Sequence, residues 1–234
     1  MIVYFAGVNQ IHFCEAFRGR HILESFADQR PLFGRYRATF AGVGLDCGAF
    51  SDKSIDIGAY AAFVHEHGEF YDWVASLDSI RGGVSENLSN WQDLRDRGIN
   101  AMPTFHQGEP IAILRAYCEQ SARVALGFQR PIQNARAFLD EAFSNIPPHV
   151  KVHGWAMTNY TARYPFASVD STSWLHELKA LRATQTTQQG EPFAHLTDGE
   201  LIDIIQKRYD RLPRMKLWQA RPYSKQLGLL KESA

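Results

Sequence analysis

VKVHGWAMTNYTARYPFASVDSTSWL, residues 150–175, holds two short apolar runs that each bring a side chain able to do chemistry. Val150 to Trp155 carries His153, and Phe166 to Val169 runs into Asp170. Runs this short and this continuous fit strands buried on both faces, as in a parallel sheet. Working outward, similar runs recur at Ile2 to Gly7, Val43 to Cys47, Asp72 to Leu77, Asn100 to Phe105 and Val124 to Gly127. Helix-period segments lie between them. Ile57, Tyr60, Ala61 and Val64 share one helical face, as do Leu88, Trp91 and Leu94. Ile111, Leu114, Tyr117 and Cys118 repeat the pattern, followed by Ile132, Ala135, Leu139 and Phe143. Pro110 and Pro131 stand where a first helical turn tolerates proline.

Seven strands with six crossovers form a βαβ series, which predicts an α/β fold of the TIM (β/α)-barrel type. No eighth strand is evident, so the expected barrel is incomplete or irregularly closed. A chain of 234 residues suits one barrel domain over 1–234. Near the end, Thr197 and Glu200 have capping-box spacing, and Leu201, Ile204, Ile205 and Leu212 make an apolar stripe. A C-terminal helical extension over about 197–234 is therefore expected, preceded by a polar, exposed loop at 183–190.

Composition narrows the class. Hydrophobic residues make up 45% and charged residues 21%, as in a folded soluble domain. No apolar run approaches the roughly 18 residues that span a bilayer. The start, MIVYFAGV, reads as a buried strand and not a signal peptide. Cys14, Cys47 and Cys118 are scattered, which argues against a disulfide framework and a zinc cluster and for a reducing, cytoplasmic setting. Lys+Arg and Asp+Glu both total 25, so any nucleic-acid contact must come from local charge. The best candidate is the tail, with Arg208, Arg211, Arg214 and Lys216; a second basic stretch holds Arg18, Arg20, Arg30, Arg35 and Arg37. The plain alternative for both is a solvated face.

Polar groups recur where the expected strands end: Asp46, Asp78, His106, Gly127, His153 and Asp170. In a barrel those ends converge on one mouth. Each aspartate alone can be a turn or helix cap, and each histidine a hydrogen-bonded structural residue. Six in successive units point to a shared site. A pair such as Asp46 and Asp170 suits chemistry at an anomeric carbon, with one carboxylate attacking C1′ and the other moving protons on the departing or arriving group. Phe50, Phe105, Phe128 and Trp155 adjoin the same ends and offer stacking faces for a base drawn out of its duplex.

The motifs LDCGAFS, SLDS, PTFHQGE, LGF, KVHGW and YPFASVDSTSWL resemble the tRNA-guanine transglycosylase superfamily over roughly Val43 to Leu175. They are most similar to its DpdA branch, whose members place 7-deazaguanine bases in DNA and occur in phages and bacterial genomic islands. The resemblance implies a double displacement in which Asp170 is the nucleophile and Asp46 serves acid–base or positioning duty. It places Asp78 on the base edge, Gln107 or His106 as a further base contact, and Gly127 where backbone meets base. Phe50, Ser51 and His153 are further substrate-binding candidates from the residues themselves, His153 as a neutral imidazole able to hydrogen-bond the purine edge or shuttle a proton. Cys47 and Ala49 stand where the family has a serine and a second glycine, and no cysteine follows Asp170 to build the tRNA enzymes' zinc site. The implied reaction therefore needs no metal or cofactor, and its partners are DNA and a free base such as preQ0. Exchange in tRNA, a non-catalytic nucleic-acid-binding barrel and a nucleoside or glycoside hydrolase are the alternatives.

Overall fold

The strands of the computed structural model are β1 (Ile2–Ala6), β2 (His21–Ser25), β3 (Gly42–Asp46), β4 (Trp73–Val74), β5 (Thr104–His106), β6 (Arg123–Gly127), β7 (Lys151–Gly154) and β8 (Ser168–Ser171). The structure describes residues 1–8, 10–28, 36–49, 55–79, 83–128, 132–187 and 196–213. All the pairings are parallel, in the order β4-β3-β2-β1-β8-β7-β6-β5. The sheet curls into a TIM-type barrel. Its first and last strands meet from Ile2 beside Ser168 to Phe5 beside Ser171. The seam between β4 and β5 is much thinner. There Ala75 bridges Met102, Met102 N donates to Val74 O, and Ser76 N donates to Met102 O, both at 2.8 Å.

The eighth strand that the sequence did not reveal is β2. Only Ile22 and Leu23 of its five residues are fully buried, while His21, Glu24 and Ser25 are half-buried. A strand with that mix carries neither a continuous apolar run nor a clean alternation. It nonetheless pairs with β3 over its whole length, from His21 beside Gly42 to Ser25 beside Asp46. Shifted boundaries matter too. β8 begins at Ser168 and includes Asp170, so that carboxyl projects from a strand and not from the loop beyond it.

Helices α1 (Ile11–Ala16), α2 (Ile57–His67), α3 (Gly83–Asp96), α4 (Ile111–Gln120), α5 (Ala135–Asn145), α6 (Ser173–Thr187) and α7 (Asp198–Asp210) surround the strands. Ile132 does not join the α5 stripe: it precedes the helix and is 54% exposed. The expected polar loop at 183–190 is helical to Thr187, and its remainder lies outside the described residues. Pro110 sits at the N-cap of α4, while Pro131 lies outside the described residues. The capping box of α7 is present, with Thr197 and Glu200 each holding the other's backbone N–H. Leu201, Ile202, Ile205 and Tyr209 of α7 are buried, and Ile204 is half-buried. Gln206 Nε2 donates to Ala16 O, and Arg20 pairs with Asp210 at 2.6 Å, so Arg20 is tied to the tail helix. No helix among the described residues is long and apolar enough to cross a membrane.

Inside the barrel, Tyr4, Leu23, Trp73, Ala75, Met102 and Ala125 form a buried layer of their own. Glycine in β3 makes room for it, since a Cβ on Gly44 would lie 2.4 Å from the Trp73 indole. Tyr4 meets that indole edge-on at 5.1 Å, so the ring has little room to yield. Gly44→Ala should therefore destabilise the fold by about 1–3 kcal/mol through overpacking. Urea denaturation would read this as a lower midpoint, and an unchanged midpoint would show that the indole moves freely.

Candidate active site

The strand registers carry Asp46, His106, Gly127 and Asp170 to the C-terminal ends of β3, β5, β6 and β8. Asp78 follows β4 three residues past the closing bridge at Ala75. Asp170 and Asp78 both bear on Asp46 as nearby negative charges. Three aspartates from separate strands thus share one mouth. Burial raises the Asp46 carboxyl to about 7, and the Asp78 and Asp170 charges push the same way, against a hydrogen bond from the Gly48 backbone. Gly48 adopts φ +86, and a Cβ there would fall 2.5 Å from Ala27 Cβ, so only glycine fits this turn beside Asp46.

His106 answers the negative charge. Its Nε2 lies 3.5 Å from Asp78 Oδ2 and its Nδ1 3.3 Å from Glu109 Oε1. Burial alone would lower its basicity, but hydrogen bonds and charge from Asp78 and Glu109 outweigh that and raise it to about 10. The ring is an imidazolium at neutral pH. Glu109 also accepts from His106 N at 2.9 Å, and its side chain is 2% exposed. The sequence reading missed Glu109. The signal was the spacing in His106-Gln107-Gly108-Glu109, where a carboxylate three residues on can fold back on a strand end. Gly127 lies beneath this ring, since a Cβ on it would fall 2.9 Å from His106 Cδ2.

Asp170 is oriented differently. Its Oδ1 accepts from Ala156 N at 2.7 Å and lies 3.6 Å from His153 Nε2. His153 is fully buried, and burial lowers its basicity, so the ring is neutral. The expected direct contact of His153 with substrate is not what the structure places. The imidazole is enclosed by Tyr4, Trp73 and Trp155 and has no exposed surface.

The remaining candidates scatter. Gln107 donates through Nε2 to Gln133 O, and its buried Oε1 has no hydrogen-bond partner among the described residues. Phe105 packs in the outer core against Phe138, and Phe128 against Phe138 and Tyr160. Trp155 alone of the described aromatic candidates sits with the barrel interior, its Nε1 donating to Thr104 Oγ1 at 3.2 Å. Phe50 and Ser51 lie outside the described residues, as do Arg214 and Lys216. Arg208 pairs with Glu177 at 3.1 Å and Arg211 is exposed. No group of three or more metal-ligating side chains occurs among the described residues. Cys14, Cys47 and Cys118 are buried free thiols.

No family model and no curated protein sequence matches the chain. Among solved structures, the chain is similar to the YdjI aldolase from Escherichia coli K12, at 11% identity with a TM-score of 0.48, over 89% of this chain and 88% of that one.

Two pH dependences follow from these surroundings. The raised His106 contributes stability fully present below its unfolded value near 6.5, and that contribution is lost as pH rises toward about 10. His106→Gln should flatten the decline in melting temperature over that window, and a parallel decline in both proteins would contradict the imidazolium. Asp46 should titrate near 7 by carbon NMR of the labelled carboxyl, and its midpoint should fall in Asp78→Asn because a like charge is removed. A rise or no change would mean that the two carboxyls do not share the mouth.

Proposed function

We propose that this barrel exchanges a guanine base in DNA for a free 7-deazaguanine such as preQ0, by double displacement through Asp170. One observation carries the reading. Asp46 and Asp170 open on one mouth in unlike surroundings, Asp46 holding a proton up to near-neutral pH and Asp170 fixed through one oxygen by the Ala156 N–H. Carboxyls differentiated in this way can divide proton transfer and attack between them.

In the first half, the free oxygen of Asp170 bonds to C1′ as the bond from C1′ to guanine N9 breaks. The proton on Asp46 goes to the departing base, which leaves neutral. In the second half, Asp46 takes the N9 proton of the incoming deazaguanine, that nitrogen bonds to C1′, and the ester bond to Asp170 breaks. Asp46 is then protonated again and ready for another cycle. Proton transfer by a group of this kind contributes about 10²–10⁴ in rate, most effectively when it titrates near the working pH. The His106 cation, both of its ring N–H groups turned to Asp78 and Glu109, holds the Asp78 carboxylate in place as an acceptor for a donor edge of the purine. Such chemistry requires a base lifted from its stack. The motif resemblance over Val43 to Leu175 supports DNA as the polymer, and the exposed Arg211 offers a backbone contact.

Labelled guanine or preQ0 offered with DNA and with tRNA in parallel tests this directly. DNA should gain label, and Asp170→Asn should abolish the gain while keeping the fold, because an amide of the same shape is a poor nucleophile. Label entering only tRNA would reassign the polymer. Guanine released without an incoming base would mark a hydrolase, and an active Asp170→Asn protein would remove Asp170 from its role.

A further inference from the structure

We propose that His153 is a positioning residue for Asp170: its Nε2–H, together with the Ala156 N–H, holds Oδ1 and leaves Oδ2 as the attacking oxygen. This inference rests on the transglycosylase reading. Three independent features of the structure support it.

The first is connectivity. Ser168 Oγ lies 2.9 Å from His153 Nδ1, and the opposite ring nitrogen points at Asp170 Oδ1. Nε2 is buried and makes no hydrogen bond with any described residue. That carboxylate oxygen lies 3.6 Å from it. A proton on Nε2 satisfies both ends, with the Ser168 hydroxyl donating to Nδ1. The order of Ser168, His153 and Asp170 matches that of a hydrolytic triad read backwards. Here the serine is the enclosed end, 1% exposed, and the carboxylate is the end nearer the mouth. The imidazole therefore serves the carboxylate and activates no hydroxyl.

The second is rigidity. The imidazole is wedged between Trp73 at 4.9 Å and Trp155 at 4.5 Å, with Tyr4 at 6.1 Å. Trp155 is itself pinned by its bond to Thr104. The ring cannot turn without displacing an indole. At 3.6 Å the contact is longer than a hydrogen bond, and a carboxyl shift of about 0.5 Å closes it. Catalytic contacts of this kind commonly tighten only once the reacting partner is bound.

The third is backbone strain. Ala156 holds φ +54, a left-handed conformation costly for a residue with a Cβ, and it does so with its N–H on Asp170 Oδ1. Two donors thus converge on one oxygen. When Oδ2 becomes the ester oxygen, Oδ1 is the carbonyl oxygen of the glycosyl-enzyme and keeps both donors. When the ester breaks, the same donors receive the returning negative charge. The charged and titratable groups around the pair are Asp46 from β3, Arg123 from β6, and Tyr4 from β1, beside Ser168 and the neutral imidazole.

The test compares His153→Phe with His153→Gln. Phenylalanine keeps a flat ring and loses the donor, whereas the glutamine amide can present an N–H near the position of Nε2. Single-turnover formation of the glycosyl-enzyme should slow on the order of a hundredfold in His153→Phe, with KM for DNA and for free base unchanged. His153→Gln should recover most of that loss. Wild-type rates in His153→Phe, or a glutamine variant no better than phenylalanine, would overturn the proposal. Nitrogen-15 NMR of the wild-type imidazole gives a second reading that needs no turnover and no variant that folds. The proton is expected on Nε2 at neutral pH, and a proton on Nδ1 would overturn the proposal. If wild-type protein exchanges no base in any polymer, the transglycosylase reading fails, and the tautomer still judges the pairing of His153 with Asp170.

Discussion

Carboxyl groups crowded into a mouth that water reaches poorly cannot all be charged, and the site is organised around that cost. Asp46, Asp78, Glu109 and Asp170 arrive on separate elements, and each added charge makes the next harder to hold. The fold answers in three ways. A proton stays on Asp46 to near-neutral pH, a cationic imidazole sits between Asp78 and Glu109, and a backbone N–H meets Asp170. Each answer differentiates a carboxyl chemically, so the electrostatic problem of the mouth and its division of labour have one origin.

The two histidines show how surroundings alone assign roles. His106 and His153 both come from strands beside the mouth. His106 has two carboxylates within 3.5 Å and becomes strongly basic. His153 has indoles, a phenol, one hydroxyl and a single carboxylate oxygen at 3.6 Å around it, and burial outweighs that one charge and keeps it neutral. The cation keeps two carboxylates charged in the mouth, whereas the neutral ring is suited to hold an oxygen without competing for its charge.

Below the mouth, the barrel depends on a tight fit between a glycine position of one strand and a large side chain of the next. Gly44 of β3 leaves the space that Trp73 of β4 occupies, and the indole in turn walls in His153. The thin seam at Ala75 and Met102 lies next to that packing. Interior rings therefore do part of the closing work that strand pairing does elsewhere around the barrel.

The sequence by itself determined the class of fold, because buried parallel strands are short apolar runs and the helices between them repeat at 3.6 residues. It also determined which aspartates end successive strands, and the cap that starts α7. It did not show β2, whose polar positions meet partners elsewhere in the chain: Glu24 accepts from the Tyr71 hydroxyl at 2.9 Å, and His21 meets Tyr4 edge-on. Nor did it show Glu109 as a partner of His106, or His153 enclosed behind Asp170. The Glu109 contact, three residues from His106, depends on burial, and the enclosure of His153 depends on which side chains face each other across strands 15 or more residues apart, such as His153 and Ser168. Periodicity records which face a residue takes, and only the closed tertiary structure decides what stands opposite it.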